Sequence, residues 1–125
     1  GRNTYMAASE KVKALTQLAA DVIAEKLGTD IVAIDMTEQS LLSEVFLIAT
    51  AANERQVDAI AEAVAEKLIE HGEKPLRTEK SAEWILLDYS DLVIHIQSRE
   101  LRQYYLLDRL WNDCPRIPLD ISEAR

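Results

Sequence analysis

Two apolar runs separated by two turn residues constrain this chain most. Trp84-Ile-Leu-Leu-Asp-Tyr89 and Leu92-Val-Ile-His-Ile-Gln97 flank Ser90-Asp91. Runs of this length on either side of a polar pair predict a β-hairpin. The pair lacks the glycine that a primed turn prefers, so the turn type stays open. Alternation places Val93, His95 and Gln97 on one side of the second strand, with Leu92, Ile94 and Ile96 on the other. From Arg99 the period changes. Leu101, Tyr104/Tyr105, Leu107/Asp108 and Trp111 recur every three or four positions, which predicts one helix running to Trp111 with these side chains on its apolar face. Cys114-Pro-Arg-Ile-Pro118 stops it, and an extended tail follows.

The rest of the chain supplies layers for this hairpin. Residues 5–27 predict a helix with Leu15, Leu18, Ala19, Val22, Ile23 and Leu27 on one stripe. Gly28 is expected at its left-handed C-terminal position. Asp30–Asp35 and Glu44–Ala49 predict two buried strands, able to pair as a long-looped hairpin. Asn53 is a good N-cap, and Gln56 three residues on resembles a capping box. The helix it opens buries Val57, Ile60, Ala61, Val64 and Leu68, reaches about His71, and ends at Gly72. Pro75–Glu79 predicts a short edge strand. The order is helix, strand, strand, helix, three strands, helix. It predicts a single-domain α/β sandwich of residues 1–125 with a mixed sheet of about five strands and about three helices. Residues 1–8 and 117–125 are expected to be flexible tails.

A chain of 125 residues suffices for one core without staples. Its 14 Lys+Arg against 22 Asp+Glu give a net charge of −8, which disfavours general binding to nucleic-acid phosphates. The charge suits a basic protein partner, or simply solubility. One cysteine, Cys114, permits no internal disulfide and favours a reducing, cytoplasmic setting. No apolar run is long enough to span a membrane. Gly1-Arg2-Asn3-Thr4 carries no apolar signal core, and the glycine at position 1 reads as a processed start.

Catalytic motifs are absent. The chain has no Gly-x-Gly-x-x-Gly, no Walker loop and no Gly-x-Ser-x-Gly elbow. Cys114 has no evident base beside it and reads as a packing residue. His71 suits a helix C-terminus. His95 could form an acid/base couple with Asp88 or Asp91, but a structural histidine is preferred, because no nucleophile or metal-ligand spacing accompanies it. Asp30, Asp35, Asp88 and Asp91 sit near predicted strand ends, where turn and capping roles outweigh metal binding. Arg99, Arg102 and Arg109 are expected on the wet side of the last helix, pairing with Glu100 or Asp108. Trp84 suits ordinary core or edge packing; the sharper alternative is an anchor on an exposed sheet face, since tryptophan and tyrosine are over-represented at binding hot spots.

Taken together, several segments resemble one family. They are Ile31-Val-Ala-Ile-Asp35, Val45-Phe-Leu-Ile-Ala-Thr50, Arg55-Gln-Val-Asp-Ala-Ile60 and Trp84-Ile-Leu-Leu-Asp-Tyr-Ser-Asp-Leu-Val-Ile-His95. The last continues into Glu100-x-Arg102-x-x-Tyr105-x-Leu107-Asp108-x-Leu110-Trp111. The chain resembles the ribosomal silencing factors, or Iojap family, from about residue 10 to 120, and is similar to actinobacterial members. It departs where the family usually has glycine: near Ala51, at Lys80 and at Ser90. Glu44 stands where aspartate is common.

The resemblance implies a fold similar to nucleotidyltransferases without their catalytic loop. It implies a translational repressor, not an enzyme, needing no cofactor or metal. Such a protein binds the large ribosomal subunit through large-subunit ribosomal protein fourteen and blocks joining of the small subunit when nutrients run low. Members are often homodimeric in isolation. Strand alternation and the family motif together place the contact at Trp84, Leu86 and Asp88, with Tyr89, Asp91, His95 and the nearby Glu79. No membrane and no sequence-specific nucleic acid contact is expected. Two other possibilities stand beside this one: a metal-dependent nucleotidyltransferase-like enzyme using Asp35, Asp88 and His95, and a homodimeric scaffold.

Overall fold

A computed structural model describes residues 7–121. The chain runs α1 (Glu10–Glu25), β1 (Thr29–Asp35), β2 (Val45–Ala51), α2 (Glu54–Glu70), β3 (Arg77–Lys80), β4 (Trp84–Asp88) and β5 (Leu92–Ser98). Two short helices, α3 (Arg99–Tyr105) and α4 (Leu107–Leu110), and a two-residue strand, β6 (Arg116–Ile117), complete it. The six strands form one sheet in the order β3-β4-β5-β2-β1-β6. β1 and β2 pair antiparallel, as their sequence suggested, and so do β4 and β5. β2 and β5 are parallel, from Val45↔Leu92 to Ala51↔Ser98, and α2 lies in the crossover between them.

The two faces of the sheet are covered differently. One face carries Ile31, Ala33, Val45, Leu47, Ala49, Ile85, Leu87, Leu92, Ile94 and Ile96, and packs against α1 and α2. This is the main core. On the other face Ile34 and Ile48 form a smaller cluster with Met36 and Cys114, lidded by Leu107 and Trp111. Helices α3 and α4 cover the β5-β2-β1 side of it and reach β4 at Trp84, where Tyr105 packs; β3 and the rest of β4 stay open on this side.

Both long helices end in the same hydrogen-bond pattern. Gly72 N–H donates to Ile69 O at 2.9 Å and Glu73 N–H to Leu68 O at 2.9 Å, with Gly72 at φ 82. In α1, Leu27 N–H donates to Ala24 O at 3.0 Å and Gly28 N–H to Ile23 O at 2.8 Å. The left-handed residue there is Leu27, at φ 68, not Gly28 as expected. Gly28 is needed for a different reason: a Cβ on it would sit 2.4 Å from Ile23 Cγ2. Asn53 caps α2 by accepting from Gln56 N–H at 2.9 Å. The Gln56 side chain accepts from Ala52 N–H rather than from the cap residue, and donates to Lys26 O at 2.9 Å, tying α2 to the end of α1.

Three expectations need correction. The sheet has six strands, because β6 pairs with β1 through Ala33↔Ile117 and Ile34↔Arg116. The expected C-terminal tail is docked where it begins: Ile117, Leu119 and Ile121 pack against the main core, which their apolar side chains favour. Ala8, at the edge of the other expected tail, is also buried, while residues 1–6 and 122–125 lie outside the described residues. The last helix is not continuous. Leu106 adopts φ 50 and breaks it between α3 and α4.

Candidate partner-binding face

The open side of the second sheet face is built by β3 and β4. Register aligns Glu79 with Leu86 and Arg77 with Asp88, and aligns Leu86 with His95 on β5. Paired residues point to the same side, so Arg77, Glu79, Trp84, Leu86, Asp88 and His95 share one face. Trp84, Leu86 and Asp88 are half-buried, and Glu79 is exposed. Glu79, Lys80, Ser81, Trp84 and Leu86 line a shallow groove of about 360 Å³. Arg77 sits between the two acids, bonded to Glu79 and, through Nε, to Asp88 Oδ2 at 3.3 Å. The site is thus an apolar strip of Trp84 and Leu86 bordered by fixed charges.

His95 lies behind this strip and is buried. The Trp84 indole N–H donates to His95 Nδ1 at 3.2 Å. An accepting Nδ1 makes the ring neutral, with its hydrogen on Nε2. Burial pushes its pKa down to about 4. The imidazole also meets Phe46, with ring centroids 5.1 Å apart. Phe46 meets Trp111 edge-on at 5.1 Å, and Trp84 meets Tyr105 at 5.0 Å. A chain of rings therefore crosses the sheet from α4 to the open face.

Two of the expected contact residues lie elsewhere. Tyr89 follows β4 onto the opposite side and is buried in the main core, where burial, and then Glu73, push its phenol up to about 12. Period-2 alternation carries through to this residue: Tyr89 follows Ile85 and Leu87 on the core side, opposite Trp84, Leu86 and Asp88. Asp91 is exposed at the hairpin end, where its carbonyl accepts from Glu44 N–H at 2.8 Å and Val45 N–H at 3.0 Å. The turn centres on Ser90, at φ 73, with Asp91 N–H donating to Tyr89 O at 3.0 Å. This is a γ-turn, and its positive φ falls at the position where the resembled family usually has glycine.

The acid and histidine set proposed for catalysis does not converge. Asp35 and Asp88 stand on β1 and β4, three strand spacings apart in the sheet, roughly 14 Å at the usual spacing. Asp35 is a structural acceptor. It takes Ala8 N–H at 3.0 Å, Thr37 N–H at 3.0 Å and Thr37 Oγ1 at 2.6 Å. Burial alone would raise its pKa; the hydrogen bonds and Lys13 outweigh this and hold it below the usual carboxylate value. No group of three His, Cys, Asp or Glu among the described residues could hold a metal. Burial, aided by Asp113, raises the Cys114 thiol above its ordinary pKa, which leaves it unreactive at neutral pH.

Two expectations about the side chains of the helical segment need correction. Tyr104 and Tyr105 were expected on the apolar face of the helix but are exposed, Tyr104 at 77%, as are Leu106 and Leu110 beside them. Arg102, expected to be wet, is buried; Nε meets Asp108 Oδ1 at 3.3 Å and Nη1 donates to Thr50 Oγ1 at 2.9 Å. The only sequence signal for an exposed surface was the adjacent pair Tyr104-Tyr105, since neighbours on a helix cannot share one narrow stripe.

Comparison with known proteins agrees with this architecture. Residues 9–125 match the family described as "Ribosomal silencing factor during starvation". A ribosomal silencing factor of Bacillus subtilis is 36% identical over 112 residues, covering 88% of this chain and 95% of its own. The chloroplastic protein Iojap of Zea mays is 29% identical over 111 residues, covering 85% of this chain and 47% of its own. Among solved structures, a Chromobacterium violaceum protein superposes with a TM-score of 0.77 at 29% identity, covering 91% of this chain and 96% of its own. A Bacillus halodurans protein does so with a TM-score of 0.75 at 35% identity, covering 86% and 99%.

Proposed function

The chain belongs to the family of ribosomal silencing factors, and from that premise we propose that it represses translation by occupying the large ribosomal subunit. In this proposal it docks on large-subunit ribosomal protein fourteen in the cytoplasm and sterically blocks joining of the small subunit under nutrient limitation. It does so as a binding protein, without catalysis. The observation that supports this best is the open face of β3 and β4, where Trp84 and Leu86 form an apolar strip between Glu79 and Asp88. Amphipathic aromatic strips of this kind make binding hot spots. A net charge of −8 repels ribosomal RNA and favours a basic protein patch, which gives specificity as well as on-rate.

A second copy of the chain could compete for this surface. The exposed run Tyr104-Tyr105-Leu106 with Leu110 adjoins Trp84. We propose that it is buried in a homodimer that must part before the ribosome is bound.

Binding of the purified chain to isolated large-subunit ribosomal protein fourteen tests the contact. Trp84→Ala and Asp88→Lys are each expected to weaken it by more than about 30-fold, the loss typical of a hot-spot residue. Unchanged affinity in both variants refutes the assignment of this face.

A further inference from the structure

The segment from Arg99 to Trp111 covers two polar side chains that have nothing to bond with beneath it. His95 and Gln97 are buried, Gln97 completely. His95 Nε2 and both polar atoms of the Gln97 carboxamide find no hydrogen-bond partner among the described residues. Gln97 pairs in register with Thr50 on one side and Trp84 on the other. Arg102 of α3 bonds Thr50, and Tyr105 of α3 stacks near Trp84, so this helix passes over Gln97. Burying unpaired polar groups is costly, and native structures do it rarely.

The cover itself is weakly built. α3 has seven residues and buries only Arg102; α4 has four and buries none. The joint between them is a leucine in the left-handed region, at φ 50, which non-glycine residues seldom adopt. Four large apolar side chains on the cover face outward. Short helices with few buried contacts open at low free energy. The far end of the cover rests on Leu107 and Trp111, packed on the second cluster, and on Arg116, which donates to the Asp108 and Trp111 carbonyls. Helix α3 is latched by Arg102, which bonds both Thr50 on the sheet and Asp108 at the start of α4.

We propose that residues 99–111 are a displaceable cover latched by Arg102, and that its opening exposes His95 and Gln97 as a second, polar part of the binding surface beside Trp84. An imidazole N–H and a carboxamide offer both donors and an acceptor. Such a set complements the main chain of an extended protein segment, whose N–H and C=O groups alternate. The opening is a property of the free chain and does not depend on which partner binds.

Thiol labelling in a Cys114→Ser background reads the opening directly. Gln97→Cys places a thiol under the cover, and Ile94→Cys places one on the opposite face of the same strand, beneath the long helices. Position 97 is expected to label at least 100-fold faster than position 94, each relative to its unfolded rate. Adding Arg102→Leu is expected to speed position 97 by a further tenfold and leave position 94 unchanged. Should Ile94→Cys fail to fold, hydrogen exchange of the β5 amides supplies the reference for global opening. Equal labelling at the two positions overturns the proposal. Gln97→Met provides an independent check. It is expected to fold at least as stably as the parent chain, because the closed cover gives the carboxamide no partner. A clear loss of stability shows the carboxamide satisfied with the cover shut, and also overturns the proposal.

Discussion

The indole N–H of Trp84 donates to Nδ1 of His95 at 3.2 Å, across the β4–β5 ladder. This bond fixes the most prominent side chain of the open face to a buried, neutral imidazole. The anchor therefore depends on the histidine remaining unprotonated.

Stability should fall with acid through this residue. The folded pKa of His95 is about 4, below its ordinary 6.5, because burial disfavours the charged ring. A depressed pKa contributes stability that is fully present above about pH 6.5 and lost as pH falls towards 4. At about 1.4 kcal/mol per pKa unit the loss is roughly 3 kcal/mol. Urea unfolding between pH 7 and 4 should show this slope, and His95→Phe should flatten it.

Asp35 should contribute a separate, more acidic dependence. Its carboxylate accepts three hydrogen bonds that join the end of β1 to Ala8 and Thr37. Its pKa is lowered, so its stabilisation is present above the ordinary value of 3.8 and is lost as pH falls below it. Asp35→Ala is expected to cost about 2–3 kcal/mol, since hydrogen bonds to a buried charged group are the stronger kind. Chemical denaturation at pH 7 checks the magnitude.

The two helix ends should respond oppositely to glycine and alanine. Leu27→Gly relieves a left-handed leucine, worth about 1–2 kcal/mol, against the greater unfolded-state entropy of glycine, about 0.4–1 kcal/mol. A net gain of roughly 0.5–1 kcal/mol is expected. Gly72→Ala should lose about 1 kcal/mol through its φ of 82 alone, because nothing lies within 4 Å of the new methyl. Gly28→Ala should be the most damaging, since its Cβ would meet Ile23 Cγ2 at 2.4 Å. Thermal melts of the three variants give the ranking.

The hairpin and both long helices were legible because each carries its own local signal. Period-2 alternation set which side of β5 holds His95, and Asn53 and Gly72 marked the ends of α2. The open face was legible only in part. Glu79, Trp84, Leu86 and Asp88 do share it, since strand alternation carries through β4. Tyr89 does not, and alternation itself excludes it, since it shares the parity of Ile85 and Leu87 on the core side. The last helix failed for another reason. A three-to-four spacing of Leu101, Tyr104 and Trp111 looks the same whether the stripe is buried or exposed, and nothing local announces a left-handed Leu106. Arg102 and β6 depend on long-range partners, Thr50 and Ala33, that no local pattern encodes.

Co-sedimentation of the purified chain with separated large and small ribosomal subunits, repeated at rising salt, tests the central claim most directly. Binding to the large subunit alone, weakening as salt screens the charges, is the predicted result. Absence of binding to either subunit at low salt contradicts it.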